Sequence, residues 1–169
     1  MKKLFALLLS LCLLCSAAAL ADNSLSWESV SEAATAMGGE FKTFDEIAVK
    51  LWMPATMQEI ELTDDDRANG YIGYYASEDE TGEISVVYVD AQYTSLEDYQ
   101  AYLLENGVQE VETGSVNGLA CISYESDDTG VLAFTTQKGY ILEIAAAPLS
   151  EDSFKSIIGV VMSSIQSAE

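Results

Sequence analysis

The spacing of hydrophobic residues along the chain predicts three helices. In the segments 26–37 and 95–107, apolar residues recur every three or four positions. Ser24 or Ser26 can cap the first helix, and Ser95 with Asp98 is typical of a capping box at the second. A third stripe follows Ser150 and closes the chain. The apolar positions of the three stripes are Trp27, Val30, Ala34 and Met37, then Leu96, Tyr99 and Leu103, then Phe154, Ile157, Ile158, Val161, Met162 and Ile165.

Between these helices the pattern changes to short runs of branched and aromatic residues bounded by turn residues, which is typical of strands. The segment 63–70 interrupts this pattern and is predicted as a loop or a short turn of helix. Tight turns within 110–147 favour a four-stranded antiparallel meander, since parallel pairing needs a long crossover. The predicted strands are 40–44, 46–53, 71–77, 83–90, 110–116, 119–125, 131–136 and 140–147.

The resulting element order is α-ββ-ββ-α-ββββ-α, which predicts an α+β fold with a mainly antiparallel sheet packed between helices. Several segments then carry a family resemblance over about residues 40–166: Leu51-Trp52-Met53-Pro54, the hairpin across Thr81-Gly82, Ser95-Leu96-Glu97-Asp98-Tyr99, Val116-Asn117-Gly118, and the final Ser-Ile helix. In pattern and topology the chain resembles the Mog1/PsbP-like domain. The resemblance implies an α/β/α sandwich and a binding or assembly role, and it transfers no functional residue.

The N-terminus has the features of a secretory signal. Lys2 and Lys3 precede an apolar run, and Ala19 and Ala21 form an A-x-A site that predicts cleavage before Asp22. Leucine precedes both Cys12 and Cys15, which disfavours a lipid anchor at either cysteine. The expectation is a secreted protein with a signal peptide over 1–21 and a single domain over 22–169.

Acidic residues dominate the composition. The chain holds 28 Asp and Glu against 7 Lys and Arg, a formal charge of −21, and loss of the two signal lysines would leave −23 (5 less 28). Such a charge repels phosphate backbones and anionic lipid, so neither nucleic acid nor, after signal cleavage, a membrane is an expected partner. The expected partner is a protein or a glycan.

Candidate catalytic chemistry is limited because the chain contains no histidine. Ser-His and Cys-His nucleophiles are therefore excluded, and Cys121, in an apolar run, is predicted to be a buried thiol. A pair of carboxylates in a cleft could still hydrolyse glycosides. A non-catalytic binding module is the preferred interpretation, and a carboxylate-based, glycosidase-like hydrolase is the alternative.

Two further kinds of site stay open at this point. Asp64, Asp65 and Asp66 are candidate calcium ligands, as are the acids of 78–80 and 127–128, although none fits a calcium-loop motif and solvated turns are the plainer interpretation. No other cofactor is expected. Tyr71 and Tyr75 share one face of a predicted strand and are candidate binding aromatics, unless helices cover both faces of the sheet and bury them.

Overall fold

The computed structural model describes residues 24–45, 47–89 and 92–168 and has the predicted α+β fold. The predicted signal peptide lies outside the described residues. The helices are α1 Trp27–Met37, α2 Asp64–Ala68, α3 Leu96–Glu105 and α4 Asp152–Ser163. The strands are β1 Ser24–Leu25, β2 Gly39–Phe44, β3 Val49–Pro54, β4 Met57–Glu59, β5 Tyr71–Ser77, β6 Glu83–Tyr88, β7 Val111–Val116, β8 Leu119–Ser126, β9 Thr129–Thr135, β10 Ile141–Ala147 and β11 Gln166–Ser167.

The main sheet has eight strands in the order β1-β7-β8-β9-β10-β6-β5-β4. Strands β7 to β10 form the predicted antiparallel meander, which is confirmed. Strand β10 also pairs with β6, so the hairpin β5–β6 extends the meander rather than forming a separate sheet. Only β1, which pairs with β7, runs parallel to its neighbour among the described strands.

Helices lie on both faces of this sheet. On one face, α1, α4 and a second sheet of order β11-β3-β2 enclose the main hydrophobic core. On the other face, α3 packs over β7, β8 and β9, and a smaller core forms beneath it around Tyr99, Leu103 and Ile122. Successive side chains of β9 point to opposite faces of the sheet and so contribute to both cores. Leu132 and Phe134 belong to the main core, and Ala133 belongs to the smaller one.

Several predicted boundaries need correction. Strand β3 begins at Val49 rather than at residue 46, because Ile47 and Ala48 form a turn in which Ala48 has a φ of 54°. Segment 63–70 forms the short helix α2, the second of its two predicted alternatives. The last predicted helix begins at Asp152, with Glu151 as its N-cap, and the preceding Ser150 bonds through its amide and hydroxyl to the Asp128 carboxylate.

At the other two helices the caps agree better with prediction. Ser26, not Ser24, caps α1 and accepts a hydrogen bond from the Ser29 amide. Ser95 caps α3 by accepting from the Asp98 amide at 3.1 Å, but the Asp98 carboxylate accepts from the Thr94 hydroxyl rather than from the cap's own amide. Gly107 follows α3 with a φ of 95°, the left-handed conformation in which many helices end.

Asn117 joins three distant parts of the fold. Its Oδ1 accepts a hydrogen bond of 2.7 Å from the Trp27 amide at the start of α1. Its Nδ2 donates to the carbonyls of Ser163, at 2.8 Å, and Ile165, at 2.7 Å, at the end of α4. The ends of a helix lack intrahelical partners for their backbone groups, so this one side chain satisfies a donor of one helix and an acceptor of another.

The buried state predicted for Cys121 is confirmed. Cys121 is 6 % exposed, and burial raises the pKa of its thiol to about 11, which keeps it protonated at neutral pH. We expect a thiol-specific reagent to leave Cys121 unmodified in the native protein and to label it fully in denaturant, as measured by peptide mass spectrometry. The neighbouring exposed position provides the control, since Ala120→Cys is expected to react in the native state. Rapid native labelling of Cys121 would contradict its burial.

Within the described residues, no helix combines the length and the apolar character needed to cross a membrane.

Candidate functional site

The most distinctive surface of the protein is the outward side of strands β5, β6 and β10, on the same side of the main sheet as α3. Along these strands, buried residues alternate with partly exposed ones. The buried set, which includes Tyr75, Ile84 and Ile144, faces the main core. The opposite set is partly exposed, and the main contacts of α3 with the sheet are with β7, β8 and β9. We call this surface the open face; its residues are Tyr74, Ala76, Glu83, Ser85, Val87, Glu143, Ala145 and Ala147.

The register of the sheet places small side chains at the centre of the open face. Ala145 pairs with Ser85 across β10 and β6, and Ser85 pairs with Tyr74 of β5. On the next row, Ala147 pairs with Glu83. We call this strip of small side chains, which Tyr74 flanks and which runs parallel to the strands, the channel.

One end of this channel widens into an open groove of about 450 Å³. Ile60, 42 % exposed, forms part of its wall with the hairpin between β5 and β6 and with Pro148. The described residues that line the groove include Glu80 and Glu83 and no lysine or arginine. The groove is therefore partly apolar and carries negative charge.

Two tyrosine-glutamate pairs flank the channel. The Tyr74 hydroxyl donates to Oε2 of Glu83 at one end. At the other end, Oε1 of Glu143 accepts from both Tyr99, at 2.7 Å, and Tyr124, at 2.6 Å. These bonds fix the orientation of each carboxylate and use one oxygen of each. Among the described residues, no hydrogen bond is formed by the second oxygen of either glutamate.

The hydroxyls of these tyrosines are held protonated. The hydrogen bond to Glu83 is the largest cause that raises the pKa of Tyr74, to about 12, with desolvation second. Burial, followed in importance by interactions with Glu143, raises the pKa of Tyr99 and of Tyr124 well above the ordinary tyrosine value. At neutral pH the three phenols therefore act as hydrogen-bond donors to the glutamates.

Helix α3 adds aromatic surface beside the channel. Tyr99 lies 6.2 Å from Tyr102 between ring centroids, and Tyr93 contacts both rings at 5.1 and 5.0 Å. Tyr102 is 42 % exposed, so this cluster continues from the smaller core to solvent. It gives the Glu143 end of the open face a rigid aromatic wall.

The acidic residues predicted as calcium ligands lie elsewhere. Asp64, Asp65 and Asp66 form the first turn of α2, where the Asp66 carboxylate accepts from the amide and hydroxyl of Thr63 in a capping box. Those bonds lower the pKa of Asp66. In the part of the chain that the structure describes, no three carboxylates or thiols are grouped as metal ligands. The local geometry thus gives the calcium prediction no support, and it stays a prediction.

The two other acidic segments also use carboxylates in local structure. In the hairpin loop, Asp79 accepts from the hydroxyls of Ser77 and Thr81, which lowers its pKa. Asp128 holds Ser150 before α4. These acids stabilise turns, in agreement with the plainer interpretation of the sequence.

The two candidate binding aromatics, Tyr71 and Tyr75, have different environments in the structure. Tyr75 is 2 % exposed and belongs to the main core, and burial raises its pKa to about 12. Tyr75 is therefore not an exposed binding aromatic. Tyr71 remains partly exposed, but a bulge between Tyr71 and Gly73 interrupts the register at that point. The accessible tyrosine of β5 on the open face is Tyr74, which strict alternation assigned to the opposite side from Tyr75.

The hydrolase alternative requires a general acid whose pKa is raised. Glu40, Asp66 and Asp79 have shifted carboxyl pKa values, and in each the shift is downward, caused first by a side-chain hydrogen bond from Lys42, Thr63 and Ser77 respectively. These three groups therefore favour the ionised form, which suits them poorly to donating a proton.

Comparison with known sequences assigns the chain to a family. Residues 49–161, two thirds of the chain, match the profile described as "Domain of unknown function (DUF4367)". The chain belongs to the DUF4367 family. This DUF4367 domain includes all of the strands that form the open face. No curated protein sequence matches the chain.

One solved structure supports the fold of this DUF4367 protein. The solution structure of cyanobacterial PsbP (CyanoP) from Synechocystis sp. PCC 6803 is similar with a TM-score of 0.52 at 12 % identity, over 78 % of this chain and 93 % of that one. A crystal structure from Bacteroides thetaiotaomicron VPI-5482 has a TM-score of 0.48 at 16 % identity, over 79 % of this chain and 49 % of that one. The PsbP-like fold expected from the sequence is confirmed.

Proposed function

We propose that this DUF4367 protein is an exported, non-catalytic binding module that holds a peptide segment of a partner protein on its open face. The observation that carries the proposal is the exposure pattern of β5, β6 and β10, whose inward residues are buried and whose outward residues are accessible. A helix covers only one half of this face of the sheet. The other half is left as a surface that the helix bounds on one side. An accessible, partly apolar surface of this kind marks a site of contact with another protein.

The dimensions of the open face favour one polypeptide segment. Neighbouring strands lie about 4.8 Å apart, so the floor over β10 and β6 is about 10 Å wide, which accommodates a single chain. Ser85 and Ala145 form the middle of this floor. Small side chains allow the backbone of a ligand to approach closely, while Tyr74 and Ile60 supply apolar contacts at the side and end.

Export and the absence of catalysis are supported by the sequence. Lys2, Lys3 and the A-x-A site at Ala19 to Ala21 favour a secretory signal. The lack of histidine removes the commonest nucleophile designs. A binding role is consistent with the groups that the domain presents, which are aromatic and carboxylate side chains on the surface of a sheet.

The proposal is tested by selection from a peptide display library of unbiased charge on the purified protein. We expect selected peptides to lose at least about tenfold in affinity for Ala145→Trp, because the indole fills the channel. Ala120→Trp, at an exposed position of β8, is the matched control and is expected to bind normally. Both variants are checked for a native circular dichroism spectrum.

Two outcomes would count against this function. Peptides that bind Ala145→Trp as tightly as the unsubstituted protein would place the binding site elsewhere. Failure to select any peptide, together with specific binding to a glycan array that Ala145→Trp abolishes, would show that the open face takes carbohydrate instead.

A further inference from the structure

We infer that the segment bound on the open face is a basic peptide in extended conformation, with two lysines or arginines four residues apart that pair with Glu83 and Glu143. This inference rests on the proposed function and specifies the chemistry of the partner. It follows from the position, the fixed orientation and the unused oxygens of these two carboxylates.

The spacing of the two glutamates comes from the sheet register. Glu143 pairs with Val87, and Glu83 pairs with Ala147, so the backbone positions of the two glutamates are separated by four residues along β10. At about 3.3 Å per residue this separation is roughly 13 Å along the strand. In an extended ligand, residues i and i+4 point to the same side and span the same distance. A peptide parallel or antiparallel to β10 can therefore place one cation at each glutamate.

The local charges favour cations at both ends. Glu143 accepts its two tyrosine hydrogen bonds on Oε1, and Glu83 accepts one on Oε2. Each carboxylate thus keeps an oxygen for a lysine or arginine in a fixed direction, which lowers the entropic cost of pairing. Glu80 adds a third carboxylate at the groove, and the described residues that line the groove include no cation.

The net charge of the whole protein also favours a basic peptide over an acidic one. With 28 acidic and 7 basic residues, the surrounding field repels acidic peptides and attracts basic ones, which raises the association rate at low salt. The small floor at Ser85 and Ala145 leaves room for the backbone between the two cations. Neutral or small side chains are expected at the positions of the peptide that face this floor.

The test uses synthetic peptides of about nine residues built from serine, threonine and valine, with fluorescence polarisation as the measurement. One peptide has lysines at i and i+4; a second, of identical composition, has them at i and i+3, which point to opposite sides when extended. We expect the i, i+4 peptide to bind at least about fivefold more tightly. We also expect its affinity to fall as salt rises from about 20 to 200 mM, because ion pairs at an exposed surface are screened.

Substitutions in the protein identify the carboxylates. Glu83→Gln and Glu143→Gln keep an oxygen that can accept from the tyrosines, and each is expected to weaken the i, i+4 peptide about five- to tenfold. Glu112→Gln, at an exposed position of β7, removes the same charge away from the open face and is expected to change affinity less than twofold. A loss with either Glu83→Gln or Glu143→Gln that is no greater than the loss with Glu112→Gln would overturn the inference.

The experiments separate this inference from the proposed function. If library peptides that depend on Ala145 are neutral or acidic, the open face binds peptides but the basic-peptide inference is wrong. Equal affinity for the i, i+4 and i, i+3 peptides would also overturn it, since the spacing of Glu83 and Glu143 would then not determine which peptide binds. If Ala145→Trp affects no selected peptide, the proposed function itself fails, whatever the charge of the peptides.

Discussion

Replacing Gly39 by alanine is expected to lower the free energy of unfolding by about 2–3 kcal/mol, the upper part of the range for an overpacked site. A Cβ atom at this position would lie 2.4 Å from the carbonyl oxygen of Met53 and 2.6 Å from the indole ring of Trp52. The backbone of β3 is held between β2 and β11, and Trp52 is 4 % exposed in the main core. Neither neighbour can move without disturbing the core, so the overlap is relieved only by displacing β2 from β3.

Gly159 provides the matched control for this prediction. It lies in helix α4 at an exposed position, and an added Cβ would meet no heavy atom within 4 Å. Gly159→Ala is therefore expected to raise the free energy of unfolding by about 0.5–1 kcal/mol, since alanine restricts the unfolded chain and favours the helix. Denaturant unfolding of both variants gives the comparison. Equal stability of Gly39→Ala and the unsubstituted protein would show that β2 tolerates the side chain.

Local sequence signals predicted most of the elements because their causes lie within a few residues. The glycine and acidic residues between β5 and β6 indicate a hairpin loop, and Asn117-Gly118 indicates a tight turn, with φ values of 47° and 83° in the structure. Strands β1, β4 and β11 were missed, because two or three residues carry no measurable periodicity. Their pairing depends on partners far away in the chain.

The candidate site could not be predicted in the same way. Tyr71 and Tyr75 were chosen from the alternation of one strand. Tyr75 is buried because α1, α4 and the second sheet cover its face of the main sheet, a contact with segments distant in the chain. Glu143 and Glu83 lie on the same face of the sheet only because β10 pairs with β6, two strands about 60 residues apart in the chain. One signal was present: Glu143, Ala145 and Ala147 occupy alternate positions of an otherwise aliphatic strand. A glutamate and small residues on one face are unusual for a strand covered on both sides.

The resemblance to the Mog1/PsbP-like domain helped with the fold and not with the site. It predicted helices on both faces of an antiparallel sheet, which is the arrangement observed. At 12 % identity, the similarity to CyanoP shows the fold alone. The features of the open face come from this chain's own residues.

Replacing Asn117 by glycine is expected to lower the free energy of unfolding by about 3 kcal/mol. Glycine keeps the positive φ of 47° at this position without strain, so most of the loss comes from the side chain, and the greater freedom of glycine in the unfolded chain adds a smaller part. Three hydrogen bonds disappear, each contributing about 1 kcal/mol. The groups left without their partner are the Trp27 amide and the carbonyls of Ser163 and Ile165, at the ends of α1 and α4.

Asn106 is the control for the asparagine side chain itself. It follows α3 at an exposed position, and its Nδ2 donates one hydrogen bond, of 2.8 Å, to the Tyr102 carbonyl. Asn106→Gly is expected to cost less than about 1 kcal/mol, because water replaces that bond. Asn117→Asp provides a second check: it preserves the acceptor for Trp27 but sets a carboxylate oxygen against two carbonyls. Asn117→Asp is expected to be at least as destabilising as Asn117→Gly. If both Asn117 variants unfold no more easily than Asn106→Gly, the hydrogen bonds of Asn117 do not hold the fold together. Apolar packing alone would then join β1, α1 and α4.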